Sequence, residues 1–111
     1  MDVDFKGNQL LLDGHFIDFP GSIKSIKIFK DLVLVMLTVP KGIINNQNVY
    51  AVSINNKKVI WRIQEPDLIY DNNPYMNFYD AADAIIVGNW NGIAYTINEY
   101  DGTRIQGVQT K

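Results

Sequence analysis

The sequence contains no cysteine, which excludes disulfide crosslinks, thiolate nucleophiles and cysteine-ligated zinc. It has one histidine, His15, so a two-imidazole site is impossible and any serine–histidine–acid triad would have to use that residue. His15 follows a hairpin turn, where a strand-surface position is expected. Neither G-x-x-x-x-G-K-[ST] nor G-x-G-x-x-G occurs, which removes the usual glycine loops that cradle phosphates. The longest apolar run, Leu32 to Leu37, falls far short of the roughly 20 residues that span a bilayer as a helix. The start, Met1-Asp2-Val3-Asp4-Phe5-Lys6, is acidic and lacks the basic region and apolar core of a secretory signal. A cytoplasmic protein without a membrane role is expected.

What is present is enough for one folded unit. The 111 residues are 47% apolar and 20% charged, a composition that supports a single hydrophobic core and one domain over 1–111. Short apolar segments alternate with turn residues. Gln9 to Leu12 and His15 to Phe19 flank Asp13-Gly14, a pair suited to the positive φ of a two-residue hairpin turn. Further segments are Ile23–Phe29, Leu32–Val39, Val49–Val52, Val59–Ile63, Ala84–Val87, Ile93–Ile97 and Thr103–Ile105. Ile23–Phe29 also carries a helical three-residue spacing in Ile23 and Ile26, but its isoleucines favour a strand. Two irregular stretches are expected, Pro40–Asn46 and Glu65 to about Asn77. The expected fold is all-β and mainly antiparallel: a meander of about 8–10 short strands, arranged as two blade-like units, a small sandwich or an open barrel.

Two stretches repeat at one offset. Tyr50-Ala51-Val52, a turn and Ile60 match Tyr95-Thr96-Ile97, a turn and Ile105, all 45 residues apart. A period near 45 residues with about four strands marks propeller blades, although two units cannot close a ring. Similar hairpins in an ordinary sandwich explain the match equally well.

Candidate chemistry is sparse. Asp80 with Asp83, or Glu65 with Asp67, would be the carboxylate pairs of a hydrolase, but any chain with 12 acids contains such pairs. Asp71-Asn72-Asn73 offers oxygen ligands without the glycine and terminal glutamate of a calcium loop. Neither a metal nor a cofactor is expected, and binding is expected rather than catalysis.

Charge carries more information. From Ile23 to Arg62 there are seven bases and one acid, Asp31; from Ile63 to Gly102 there are seven acids and no base. The net charge of −2 conceals this split, which would steer partners of opposite sign. Lys24, Lys27 and Lys30 are spaced to touch phosphates, but a pI near 5.1 and a single neighbouring ring, Phe29, favour a lysine-blunted strand edge over nucleic-acid binding. The acidic half also holds Tyr70, Tyr75, Phe78, Tyr79, Trp90, Tyr95 and Tyr100. Phe78, Tyr79 and Tyr95 fit core positions on strands. Tyr70, Tyr75 and Trp90, in polar stretches, are the expected surface anchors, with Glu65, Asp67, Asp71, Asp80 and Asp83 supplying charge toward a basic protein partner.

Two resemblances add to this reading. Asn48-Val49-Tyr50-Ala51-Val52 through Lys58-Val59-Ile60-Trp61-Arg62 resembles a blade of pyrroloquinoline-quinone-type propellers, with Asn55-Asn56 in place of the usual turn glycine. The resemblance implies antiparallel meanders and not the quinone, whose site belongs to a full ring. As a whole, with Trp61-Arg62-Ile63, an acidic linker and Gly88-Asn89-Trp90-Asn91-Gly92, the chain is similar to small cytosolic immunity proteins of bacterial contact-dependent inhibition and related polymorphic-toxin systems. That similarity implies a toxin inhibitor that binds a cognate toxin domain, frequently a nuclease. The alternative is a propeller-like interaction or ligand-binding module that associates with copies of itself; the sequence leaves the oligomeric state open.

Overall fold

A computed structural model describes residues 2–67 and 71–109. Among them there is no helix. Eleven antiparallel strands form three consecutive meanders: β1 (Val3–Lys6), β2 (Gln9–Leu12) and β3 (His15–Asp18); β4 (Ile23–Phe29), β5 (Leu32–Leu37), β6 (Val49–Ser53) and β7 (Lys58–Arg62); β8 (Tyr75–Phe78), β9 (Ile85–Asn89), β10 (Ile93–Ile97) and β11 (Arg104–Gln109). In each sheet the strands pair in chain order, so every connection inside a sheet is a turn or loop between neighbours. No sheet closes on itself.

The Asp13-Gly14 turn forms with φ of 48° and 82°, the two positive values its residue types allow. Ile23–Phe29 is a strand, as its isoleucines imply. Two strands lie outside the expected strand segments. β1 has only Val3 and Phe5 as its apolar face, and β8 is four residues beginning right after Pro74. β8 falls inside the stretch expected to be irregular. Its pairing with β9, Tyr75 opposite Asn89 and Phe78 opposite Val87, stabilises it more than its own composition does.

The three sheets are layered, with β4–β7 in the middle. β5 records this directly, since all six of its residues are buried. Val33, Val35 and Leu37 pack with Leu10, Leu12, Phe19 and Ile23 against the first sheet. Leu32, Leu34 and Met36 pack with Trp61, Ile63, Tyr75, Ile85, Val87 and Tyr95 against the third. A continuous apolar run is what a strand covered on both faces requires, and each such side chain contributes about 1.5–3 kcal/mol of burial.

Both seams carry a similar aromatic motif; the 45-residue repeat places its tyrosines but not its arginines, which lie 42 residues apart. Tyr50 and Tyr95 lie on the third strand of their sheets and face the preceding sheet. Arg62 lies 5.4 Å from the Tyr50 ring centre and Arg104 5.5 Å from that of Tyr95, each arginine coming from the fourth strand or its first residue. An edge-on ring completes each group, Phe19 at 5.2 Å from Tyr50 and Tyr75 at 6.1 Å from Tyr95.

Candidate functional site

The structure separates the residues expected to form one surface. Asp80 and Asp83 lie in the loop before β9, and Trp90 lies in the turn after it. Five strand residues put about 17 Å between those ends. Tyr70 lies outside the described residues. Tyr75, expected as a surface anchor, is 1% exposed and belongs to the core between the second and third sheets. Its hydroxyl donates to the Gln64 carbonyl at 2.7 Å, and burial pushes the phenol well above its ordinary pKa. The reason is the unrecognised strand: once β8 forms, alternation turns Tyr75 inward. Tyr95 is a core residue as expected, Phe78 packs partly buried against the core, and Tyr79 is partly exposed.

Asp67 is also engaged. Its carboxylate accepts from Arg104 Nη1 at 2.6 Å and from the Tyr95 hydroxyl at 3.2 Å. The hydrogen bond and charge of Arg104 hold its pKa below the usual carboxylate range, and burial raises that of Tyr95. Asparagines tie this end together. Asn73 Nδ2 donates to the Asp67 carbonyl, Asn46 Nδ2 to the Asp71 carbonyl, and Asn73 Oδ1 accepts from the Asn91 amide beside Trp90. Asp71 and Trp90 are exposed here, Trp90 at 54%, whereas Glu65 is exposed beside Gln64, whose amide reaches the Gly102 carbonyl. Among the described residues, this end is a polar rim with Trp90 as an exposed ring.

The opposite end gathers more. The turn between β10 and β11, Asn98-Glu99-Tyr100-Asp101-Gly102-Thr103, carries Tyr100 at 82% exposure. The turn is fixed from within and from outside. Asn98 N donates to the Thr103 carbonyl, Gly102 N to the Asn98 carbonyl, and Tyr100 N to Asn98 Oδ1. Trp61 Nε1 donates to the Glu99 carbonyl at 2.9 Å, and Gln64 N to that of Gly102. Gly102 is required twice over: its φ is +77°, and a Cβ there would lie 2.6 Å from the Trp61 ring. Asp101 accepts from the Thr103 amide and hydroxyl, which lowers its pKa.

Two clefts flank Tyr100. One, of about 220 Å³, has apolar walls from Phe29, Ile85, Ile97 and Ile105 and acids at Asp83 and Glu99. The other, of about 390 Å³, is lined by Asp31, Ser53, Asn56 and Ile60. Glu99 and Tyr100 belong to both. Lys30 Nζ meets Glu99 at 3.0 Å, and Lys27 meets Asp80 at 3.1 Å. Lys24 donates to the Met76 carbonyl. The lysines of β4 therefore answer acids and carbonyls of the third sheet, and part of the charge split is spent inside the molecule.

Sequence reasoning placed Glu99, Tyr100 and Asp101 in the acidic, aromatic half but did not single them out. The available signal was a tyrosine between two acids in a glycine-closed turn. His15 is exposed on β3, and no group of three or more His, Cys, Asp or Glu residues is placed to hold a metal ion among the described residues. What this arrangement offers chemically is recognition: carboxylates, one projecting ring and apolar walls.

Fold and site together define an all-β domain of stacked antiparallel meanders with an acid-rimmed aromatic surface at one end. The chain belongs to the family described as Domain of unknown function (DUF7957), which matches residues 1–107. No curated protein matches it. It is similar in fold to a solved structure, the crystal structure of the computationally designed Ika8 protein, with a TM-score of 0.61 at 10% identity. The match covers 98% of this chain and 36% of the designed one, so the chain spans about a third of that neighbour's length.

Proposed function

We propose that this domain is a non-catalytic, cytosolic binding protein of the immunity kind, which docks on the basic face of a partner protein such as a toxin domain and occludes it. The observation that carries this reading is Tyr100, 82% exposed on a braced turn, between two clefts, with Asp31, Asp83, Glu99 and Asp101 around it. A ring carried on a fixed backbone loses less entropy on docking than one on a loose loop, and acids around it speed encounter with a basic surface. The docking surface thus keeps the chemistry expected from the sequence and moves from Tyr70, Tyr75 and Trp90 to the Glu99–Asp101 turn, with Asp83 retained beside it and Asp80 set apart in its pair with Lys27. The test uses a partner co-purified from native cells and titrated with folded variants. Tyr100→Ala should weaken binding at least about 30-fold, the loss of roughly 2 kcal/mol at a hot spot, while Trp90→Ala changes it little. Unchanged affinity in Tyr100→Ala would overturn the reading.

Self-association is the second reading. One observation favours it: the outer face of the third sheet carries Ile86, Ala94 and Val108, and Phe16 on the outer face of the first is 67% exposed. The outer face of the first sheet also presents Asp4, Lys6, Gln9 and Asp18, which suits a capped end better than a stacking one. A concentration-independent monomer in sedimentation would remove this reading.

A further inference from the structure

Glu99 differs from the other acids around Tyr100. Its side chain is only 22% exposed, whereas that of its partner Lys30 is 57% exposed. The carboxylate lines both clefts and its backbone is fixed by the Trp61 indole, so it is a preformed acceptor. Lys30 sits at the β4–β5 turn with φ of +53°, and its ammonium lies 5.3 Å from the Phe29 ring centre. A flexible lysine thus covers a fixed carboxylate at the point where an apolar cleft meets an exposed ring.

Resting on the docking reading above, we infer that Glu99 is the recognition carboxylate for an arginine side chain of the partner, which displaces Lys30. A guanidinium is planar and forked. It takes a carboxylate in two parallel hydrogen bonds and stacks on a ring, neither of which an ammonium does as well. Tyr100 provides the ring. Phe29, Ile85, Ile97 and Ile105 provide a wall for the arginine stem and for an apolar neighbour in the peptide. Asp31, Asp83 and Asp101 hold the surrounding field negative, which favours a basic loop over an acidic or neutral one. Displaced Lys30 moves into solvent, where its ammonium is well hydrated. Lys30 is then a placeholder: it neutralises Glu99 in the free protein and yields to a better-shaped cation.

The probes are three acetylated, amidated tripeptides, Ala-Arg-Leu and its lysine and citrulline counterparts, titrated into the full chain and read by amide and indole NMR shifts. The arginine peptide should shift Lys30, Glu99, Tyr100 and the Trp61 indole saturably. Lysine should bind about threefold more weakly and uncharged citrulline at least about tenfold more weakly. Lys30→Met, which removes the competitor, should tighten arginine binding severalfold, and Glu99→Gln should abolish it. An unmoved Trp61 indole signal in unliganded Glu99→Gln certifies that the turn is intact. Equal binding of the three peptides, shifts confined to other surfaces, or no gain in Lys30→Met would overturn the assignment. If that happens while Tyr100→Ala still weakens the protein partner, the guanidinium assignment fails and the docking surface stands. If the peptides behave as stated while Tyr100→Ala leaves the partner unaffected, the docking reading is what fails.

Discussion

The two seams of the molecule use one motif in different settings. At the first, between β1–β3 and β4–β7, Tyr50 under Arg62 is half-buried against Phe19 and aliphatic side chains, and the preceding connection is four residues, Phe19 to Ser22. At the second, between β4–β7 and β8–β11, Tyr95 and Tyr75 are buried, hydrogen-bonded through their hydroxyls, and reached by a linker from Ile63 to Pro74. Ion pairs follow the same division. Lys57–Asp13, at 3.7 Å, spans the first seam, whereas Lys27–Asp80 and Lys30–Glu99 span the second at shorter distance. Exposed pairs of this sort contribute little to stability. Their lesson is one of placement: the acidic segment packs against the basic one, and the acids around Tyr100 gather at clefts beside a projecting ring.

This difference can be broken by substitution. Tyr75→Ala at the second seam should destabilise the fold by about 3–5 kcal/mol, the usual cost of removing a buried ring. Tyr50→Ala at the half-buried equivalent should cost clearly less. Urea denaturation compares them, and equal losses would mean the seams are equivalent. Gly102→Ala should cost about 2 kcal/mol, because the left-handed φ and the Trp61 contact both oppose a Cβ. It should also shift the Trp61 indole signal.

A pH series sharpens the contrast. Asp67 has a lowered pKa in the folded state, from the Arg104 hydrogen bond and charge, so its contribution is present above the unfolded carboxylate value and is lost as pH falls through the folded one. Asp101 acts in the same direction through Thr103. Stability should therefore decline as pH drops below about 4, and Asp67→Asn should flatten that decline. Both readouts come from denaturation midpoints between neutral and acid pH. The smallest effect is expected at Tyr100, where Tyr100→Ala should change stability by no more than about 0.5 kcal/mol, since the ring projects into solvent. A larger loss would make it a structural residue.

Much of the fold was legible in the sequence. Asp13-Gly14 and Asp101-Gly102 marked turns, and the apolar segment Leu32 to Val39 marked a strand, though not that both its faces are covered. The 45-residue repeat pointed to Tyr50 and Tyr95, which occupy matching places in successive sheets. β1 and β8 were not legible, because four residues with two apolar side chains fall below any period signal and depend on the neighbouring strand. That gap misplaced the site. With β8 unrecognised, Tyr75 read as a loop ring, and the acids from Glu65 to Asp83 read as one patch with Trp90, although β8 stands between Asp71 and Asp80 and β9 between Asp83 and Trp90. Pairings such as Lys30 with Glu99, 69 positions apart, follow from how the sheets stack and leave no trace in local composition.

The most direct test of the docking surface is photo-crosslinking in native cells, with a light-activated residue at position 100 in one variant and at position 90 in another. A covalent adduct at position 100, mapped to an arginine-bearing segment of a basic protein and absent at position 90, is the predicted result. Adducts at position 90 alone, or none at position 100, would contradict it.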